Sequence, residues 1–288
     1  FNMTELIKKA RTPGFEPVPL NATASASLKN KFTQCVSQNV MAHIEGSKYP
    51  DEIIIYTAHW DHIGIGQPVN GDSIYNGALD NASGTAALLA IAETFAQSKE
   101  KPERSVGFLF VTAEEQGLLG SEHYAVNPLF PLSQTVCNLN MDGVNQAGEM
   151  RDFTITGYGL SDMDDIAREA AEAQGRYVQP EQEPEKGSFF RSDQFNFAKK
   201  GVPVLYADGG YDHMEKGKAF AKAFKNKFVT EKYHAPSDEF VEDEWDMRGM
   251  VQDAQIYFNI GQRIANSRTW PDWYPDAEFS RPDKNLQD

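Results

Sequence analysis

The chain has 288 residues with 27 Lys and Arg against 42 Asp and Glu, a net charge of −15. A field of that sign repels phosphate backbones and anionic lipid surfaces, which argues against nucleic acid as a partner. Apolar residues make up 40% at a mean hydropathy of −0.53, and no run of about 20 apolar residues is present that could span a membrane.

The length suits one large domain. The two cysteines, Cys35 and Cys137, lie far apart and form no CxxC unit, so a metal site here would rest on His and carboxylates rather than thiolates. A single bridge between them and two separate thiols both remain open.

Residues 1–30 read as a lead-in segment: a short helix over 4–10 and then an extended, Pro-containing stretch. The chain opens on Phe1, with no signal peptide, and reads as a processed product or a piece of a longer protein. Glycosylation-like triplets at Asn2, Asn21 and Asn81 are read as chance, because the last falls inside a motif with chemistry of its own.

Residues 31–268 read as one domain. Two strand-like runs, 36–44 and 52–58, flank a turn cluster at 46–50 and are expected to pair as a hairpin. The segment 81–96 is apolar over much of its circumference, as a helix packed between layers would be. Strands are expected over 105–112, 135–141 and 202–207, and amphipathic helices over 161–174 and 245–265.

This alternation predicts a three-layer α/β/α fold with a mixed, mostly parallel central sheet, whose ligands bind beyond the carboxyl ends of the strands. The tail, 269–288, carries Trp270, Trp273, Tyr274 and Phe279. That aromatic density predicts an ordered tail docked on the domain.

Candidate ligands recur just beyond the predicted strands. His59 follows EIIIYTA, Asp80 precedes the buried helix, Glu114 and Glu115 follow VGFLFVTA, and Asp142 follows CNLNM, while His234 sits in a separate loop. Singly, each has an ordinary role as a hydrogen-bonded strand end, a helix cap or a solvated acid. Jointly they stand where an α/β sheet places its site. Nitrogen and carboxylate donors suit Zn, Mn or Co, and two such sites can form if one carboxylate is shared.

The segments AHWD at 58–61, GALDNASG at 77–84, AEEQGLLGS at 113–121, NMD at 140–142 and YH at 233–234 resemble the co-catalytic di-zinc aminopeptidases. That family includes the bacterial leucyl aminopeptidases and the glutamate carboxypeptidases. The resemblance runs in order from about His59 to Phe240. It implies two Zn²⁺ ions, replaceable by Co²⁺ or Mn²⁺, with Asp80 bridging them.

On the same resemblance, His59 and Asp142 complete one site, Glu115 and His234 complete the other, and Glu114 is the general base. Asp61 is expected to receive the other N–H of His59, and Tyr233 to hydrogen-bond the tetrahedral oxyanion. A cis peptide is expected between Asp80 and Asn81. The implied reaction is hydrolysis of the first peptide bond of a peptide with a free N-terminus. Family members are often exported, and many carry a protease-associated domain beside the catalytic one.

The segment 188–203 resembles the lining of the family's substrate cleft, but Gln194 stands where His is frequent, and Arg191 reads either as a substrate contact or as half of an ion pair. His43, His62, His123 and His213 match no ligand position and are assigned structural or surface roles. Three other readings remain. One is a carboxypeptidase, which needs a cationic pocket from Arg191, Lys199 or Lys200; another is a glutaminyl-cyclase-like enzyme on one zinc; the third is a non-catalytic binding module.

Overall fold

The computed structural model describes residues 2–281. Two units separate at Val36/Ser37. In the first, helix α1 (Met3–Ala10) is capped by the Asn2 side chain, which accepts the Glu5 N–H; Glu5 lies in its first turn and Lys8 and Lys9 in its last, where they complement the helix dipole. None of its residues is buried.

The second unit holds β1 (Val40–Ile44), β2 (Tyr49–His59), β3 (Gly64–Val69), β4 (Asp72–Tyr75), α2 (Gly84–Gln97), β5 (Arg104–Val111), α3 (Leu119–Val126) and β6 (Thr135–Asn140). It continues through β7 (Asp152–Ile155), α4 (Met163–Ala173), β8 (Tyr177–Pro180), α5 (Gln194–Ala198), β9 (Val204–Asp208), α6 (Gly217–Glu231) and α7 (Arg248–Ala265). A seven-stranded sheet runs in the order β1-β5-β2-β6-β9-β7-β8, and β3 and β4 form a separate ribbon. Strands β5, β2, β6 and β9 are mutually parallel; β1 runs antiparallel to β5, and β7 runs antiparallel to β9 but parallel to β8.

The expected hairpin of the first two strands does not form. β1 pairs antiparallel with β5, which lies between it and β2. The apolar run of β5 is buried along nearly its whole length, and a strand buried on both faces takes an interior place with neighbours on both edges.

Side-chain alternation along β2 divides the interior. Ile54, Tyr56 and Ala58 face the layer of α2, α4 and α7 through Leu88, Ile91, Met163, Ile256 and Ile260. Ile53 and Ile55 face the opposite layer, with Leu109, Tyr124 of α3, Phe197 of α5 and Trp273. Gly261 lets α7 close on the sheet, since a Cβ there would stand 1.8 Å from the Tyr56 hydroxyl. Trp273 donates its indole N–H to the Gly201 carbonyl at 2.9 Å and packs on Phe279. Residues 282–288 of the tail lie outside the described residues. Cys35 is exposed, Cys137 is buried and neither is bonded.

Candidate metal centre

Parallel strands deliver their carboxyl ends to one edge of a sheet. His59 is the last residue of β2 and pairs with Val111 at the end of β5, while Thr57 pairs with Asn140 at the end of β6. The next residues of β5 and β6 therefore bring Glu114, Glu115 and Asp142 to the same edge as His59. Asp80 arrives from the other direction, on the irregular turn Ala78–Ser83 that leads into α2, with a cis peptide between Asp80 and Asn81.

The five residues converge. His59 Nε2 lies 3.1 Å from Asp142 Oδ1 and 3.2 Å from Asp80 Oδ1. The other oxygen of Asp80 lies 3.2 Å from His234 Nε2, which is 3.1 Å from Glu115 Oε2. Each oxygen of Asp80 thus faces a different histidine–carboxylate pair. His59 and Glu114 also form a donor group with Asp142, and His62, Asp80 and Glu115 form a second.

The donor set fits zinc on geometric grounds. Tetrahedral bonds of about 2.0–2.1 Å place neighbouring donor atoms roughly 3.3 Å apart, close to the 3.1 and 3.2 Å separations here. An imidazole nitrogen carries at most one proton, so His59 Nε2 cannot answer both carboxylates with it. A cation among these atoms would answer all of them.

The electrostatics agree. Burial opposes a charge on His59, yet Asp142 and Asp80 raise its pKa well above the ordinary value. Burial pushes the Asp80 carboxyl up, but hydrogen bonds from His234 and His59 hold it far below the usual range. These are groups arranged to share positive charge, which a metal supplies in place of protons. Glu114 behaves differently: burial, reinforced by the negative charge of Asp142, pushes it up to about 9.

Supporting groups hold the cluster from behind. Asp61 orients His59 through its main chain rather than its carboxylate: Nδ1 lies 3.1 Å from the Asp61 carbonyl oxygen but 3.8 Å from Oδ1. The Asp61 carboxylate instead accepts the Glu114 N–H at 3.1 Å, tying the two motifs together. Ser192 donates to Asp142 Oδ2 at 2.5 Å. Asp238 accepts the Leu79 and Asp80 N–H groups at 3.0–3.1 Å and fixes the backbone that presents Asp80. Gly84 is required nearby, because a Cβ would stand 2.2 Å from Asn81 Oδ1 and 2.3 Å from the Met141 carbonyl.

Gln194 is buried, accepts from Asn140 Nδ2 at 2.9 Å and donates to the Phe189 carbonyl at 2.8 Å. It braces the strand end below Asp142 and does not line the cleft. Tyr233 stacks on the His234 ring with centroids 3.9 Å apart, and burial pushes its phenol up to about 12, so it stays a donor at neutral pH.

His62, assigned a structural or surface role for want of a motif position, lies against the cluster: its Nδ1 is 2.6 Å from Glu115 Oε1. Its spacing of three from His59 carried no recognised signal. Asp238, four residues after His234, was equally silent. Arg191 lines the cavity, whereas Lys199 and Lys200 do not.

A cavity of about 760 Å³ opens on the cluster, lined by Asp80, Glu114, Glu115, Asp142, Tyr233 and His234 and extending toward α6. The α/β/α fold and the paired histidine–carboxylate cluster define the class. Residues 39–259 match peptidase family M28, and the chain belongs to that family.

Among curated proteins the chain is 35% identical over 138 residues to Aminopeptidase NAALADL1 of Mus musculus, covering 45% of this chain and 17% of that one. It is likewise 35% identical over 136 residues to Aminopeptidase YwaD of Bacillus subtilis, covering 45% and 27%. Among solved structures it is similar to BSAP, a zinc aminopeptidase from Bacillus subtilis (TM-score 0.59, 20% identity, 86% of this chain and 53% of that one). It is also similar to the glutaminyl cyclase of an Acidobacteriales bacterium (TM-score 0.56, 20% identity, 80% and 74%). The chain thus spans less than a third of those curated relatives.

Proposed function

We propose that the protein is a zinc-dependent aminopeptidase that hydrolyses the first peptide bond of peptides with a free N-terminus. The observation that carries this reading is the division of Asp80 between two histidine–carboxylate pairs, with the separate, charge-averse carboxyl of Glu114 beside them. His59, Asp80 and Asp142 would hold one zinc, and Asp80, Glu115 and His234 the second. Bound there, the pair would supply Lewis acidity and lower the pKa of a water toward about 7.

The chain's own residues do the rest. Glu114, in its ionised form, takes the proton from the attacking water and passes it to the departing amine. Tyr233 donates to the oxyanion of the tetrahedral intermediate. Carboxylates near the cluster attract a substrate ammonium. The amino end is favoured over the carboxyl end because carboxylates outnumber cations in the lining, where Asp80, Glu114, Glu115, Asp142 and Asp208 stand against Arg191 and Lys225, and Lys225 is held by Asp208. The relatives named as aminopeptidases point the same way. Export, implied by the family resemblance, belongs to the same reading.

The test compares three substrates for the zinc-loaded chain: a leucyl anilide, its N-acetylated form, and a peptide blocked at its amino end with a free carboxyl end. Cleavage of the first alone, lost on chelation and restored by Zn²⁺, is expected. Cleavage of the blocked peptide would point to a carboxypeptidase; a separate assay on a glutaminyl peptide would reveal a cyclase by cyclisation of its N-terminal glutamine.

A further inference from the structure

Beyond the acidic cluster the cavity continues over the end of β9, where its wall changes character. Asn140 and Tyr206 are register partners on β6 and β9, and Asp208 stands two residues beyond Tyr206, as Asp142 stands two beyond Asn140. The lining that includes Asp208 carries the apolar Val144, Met150, Phe224, Phe228 and Val229 together with the amides of Asn145 and Gln146. Three of these come from α6, whose Phe220, Phe224 and Phe228 recur at helical spacing.

Within this mostly apolar wall sits a closed ion pair. Lys225 Nζ donates to both oxygens of Asp208, at 3.0 and 2.8 Å. The Gly210 N–H donates to Asp208 Oδ1 at 3.1 Å, and the Lys225 ammonium lies 4.4 Å from the Tyr211 ring centroid. Both side chains are just under a third exposed and both line the cavity. Neither belongs to the metal cluster, and Glu114 needs neither for its proton transfer.

We propose that this part of the cavity receives the side chain of the substrate's first residue, and that the Asp208–Lys225 pair sets its selectivity for long uncharged side chains. The inference rests on the aminopeptidase reading of the same cleft. A substrate cation can reach Asp208 only by displacing Lys225 from a two-oxygen contact, and a substrate anion can reach Lys225 only by displacing Asp208. Either exchange strands a part-buried charge of the protein, which makes the pair a barrier to both signs of charge. An apolar side chain instead covers Met150, Phe224 and Phe228 and leaves the pair intact.

Opposite outcomes follow for the two halves of the pair. Without Lys225, Asp208 is an acid with no cation beside it in a mostly apolar wall and recruits basic first residues. Without Asp208, Lys225 recruits acidic ones. A packing role for the pair would predict a common loss across all substrates instead.

The experiment measures kcat/KM of the zinc-loaded full chain on leucine, lysine and glutamate p-nitroanilides, for wild type, Lys225→Met, Asp208→Asn and the double variant. Wild type is expected to prefer leucine. Lys225→Met should raise the lysine-to-leucine ratio by about 10-fold or more, Asp208→Asn should raise the glutamate-to-leucine ratio similarly, and the double variant should return to leucine. If Lys225→Met does not fold, Lys225→Gln, which keeps a neutral donor to Asp208, reads the same shift.

Ratios unmoved in folded, metal-replete single variants overturn the assignment while leaving the aminopeptidase reading in place. Calorimetric binding of free leucine, lysine and glutamate separates the two ideas from the other side. A wild type that cleaves no anilide but binds leucine over lysine, with the order reversed in Lys225→Met, rejects the aminopeptidase reading and sustains the pocket. Absence of both hydrolysis and binding overturns both.

Discussion

Nδ1 of His62 stands 2.6 Å from Oε1 of Glu115, while Oε2 of the same carboxylate stands 3.1 Å from Nε2 of His234. The His62 ring is not turned to hydrogen-bond that oxygen: both its nitrogens and Glu115 Oε1 are buried without a hydrogen-bond partner among the described residues. A close but misaligned imidazole is well placed to fix Glu115 once a cation organises the cluster. We expect His62→Ala to weaken retention of one zinc per chain by about 10- to 100-fold with the fold preserved. Zinc content against a graded chelator series, read beside circular dichroism, checks this; unchanged retention would remove His62 from the site.

Glu114 and Glu115 are chain neighbours with different surroundings. Glu115 meets His234 and His62, whereas Glu114 is hydrogen-bonded through its main chain to Asp61 and has its carboxyl pKa raised to about 9. Glu114→Gln should keep near-normal zinc and lose at least about 100-fold in kcat. Glu115→Gln should lose zinc first and partly recover activity in excess metal. Metal loss in Glu114→Gln beside a fully loaded Glu115→Gln would reverse the two roles.

Asp164 reports on stability apart from the site. Burial pushes its carboxyl up to about 6, although it accepts the Gly159 N–H at 2.6 Å. A carboxyl raised in the folded state binds its proton more tightly there than when unfolded. Its contribution is therefore fully present below about pH 4 and is lost as pH rises through about 6. Asp164→Asn should remove that part of the pH dependence and stabilise the protein at pH 7 relative to pH 4 by up to about 3 kcal/mol. Urea unfolding at both pH values tests it, and parallel shifts at the two would count against the assignment.

Trp273 ties a segment after α7 to the sheet layer, with its side chain buried and its N–H on Gly201. Trp273→Ala should cost about 3–5 kcal/mol in unfolding free energy. Trp273→Phe retains much of the packing but leaves the Gly201 carbonyl unanswered, for about 1–3 kcal/mol. A loss below about 1 kcal/mol for the alanine variant in denaturant titration would show that this contact holds little.

Local pattern carried the chemistry a long way here, for a physical reason. Parallel strands expose their carboxyl ends at one edge, so residues directly after apolar runs, such as His59, Glu114, Glu115 and Asp142, could be placed together from chain order alone. The helices were legible where one face is apolar, as in α4 and α7. Contacts between distant segments were not. No local pattern says that β5 inserts between β1 and β2, since each strand reads the same whichever neighbour it takes. Asp238 beneath the Asp80 backbone, His62 against Glu115, Gln194 as a brace and the Asp208–Lys225 pair all depend on which loops the packed layers bring face to face. Packing is non-local, and only the tertiary structure decides which side chains meet across it.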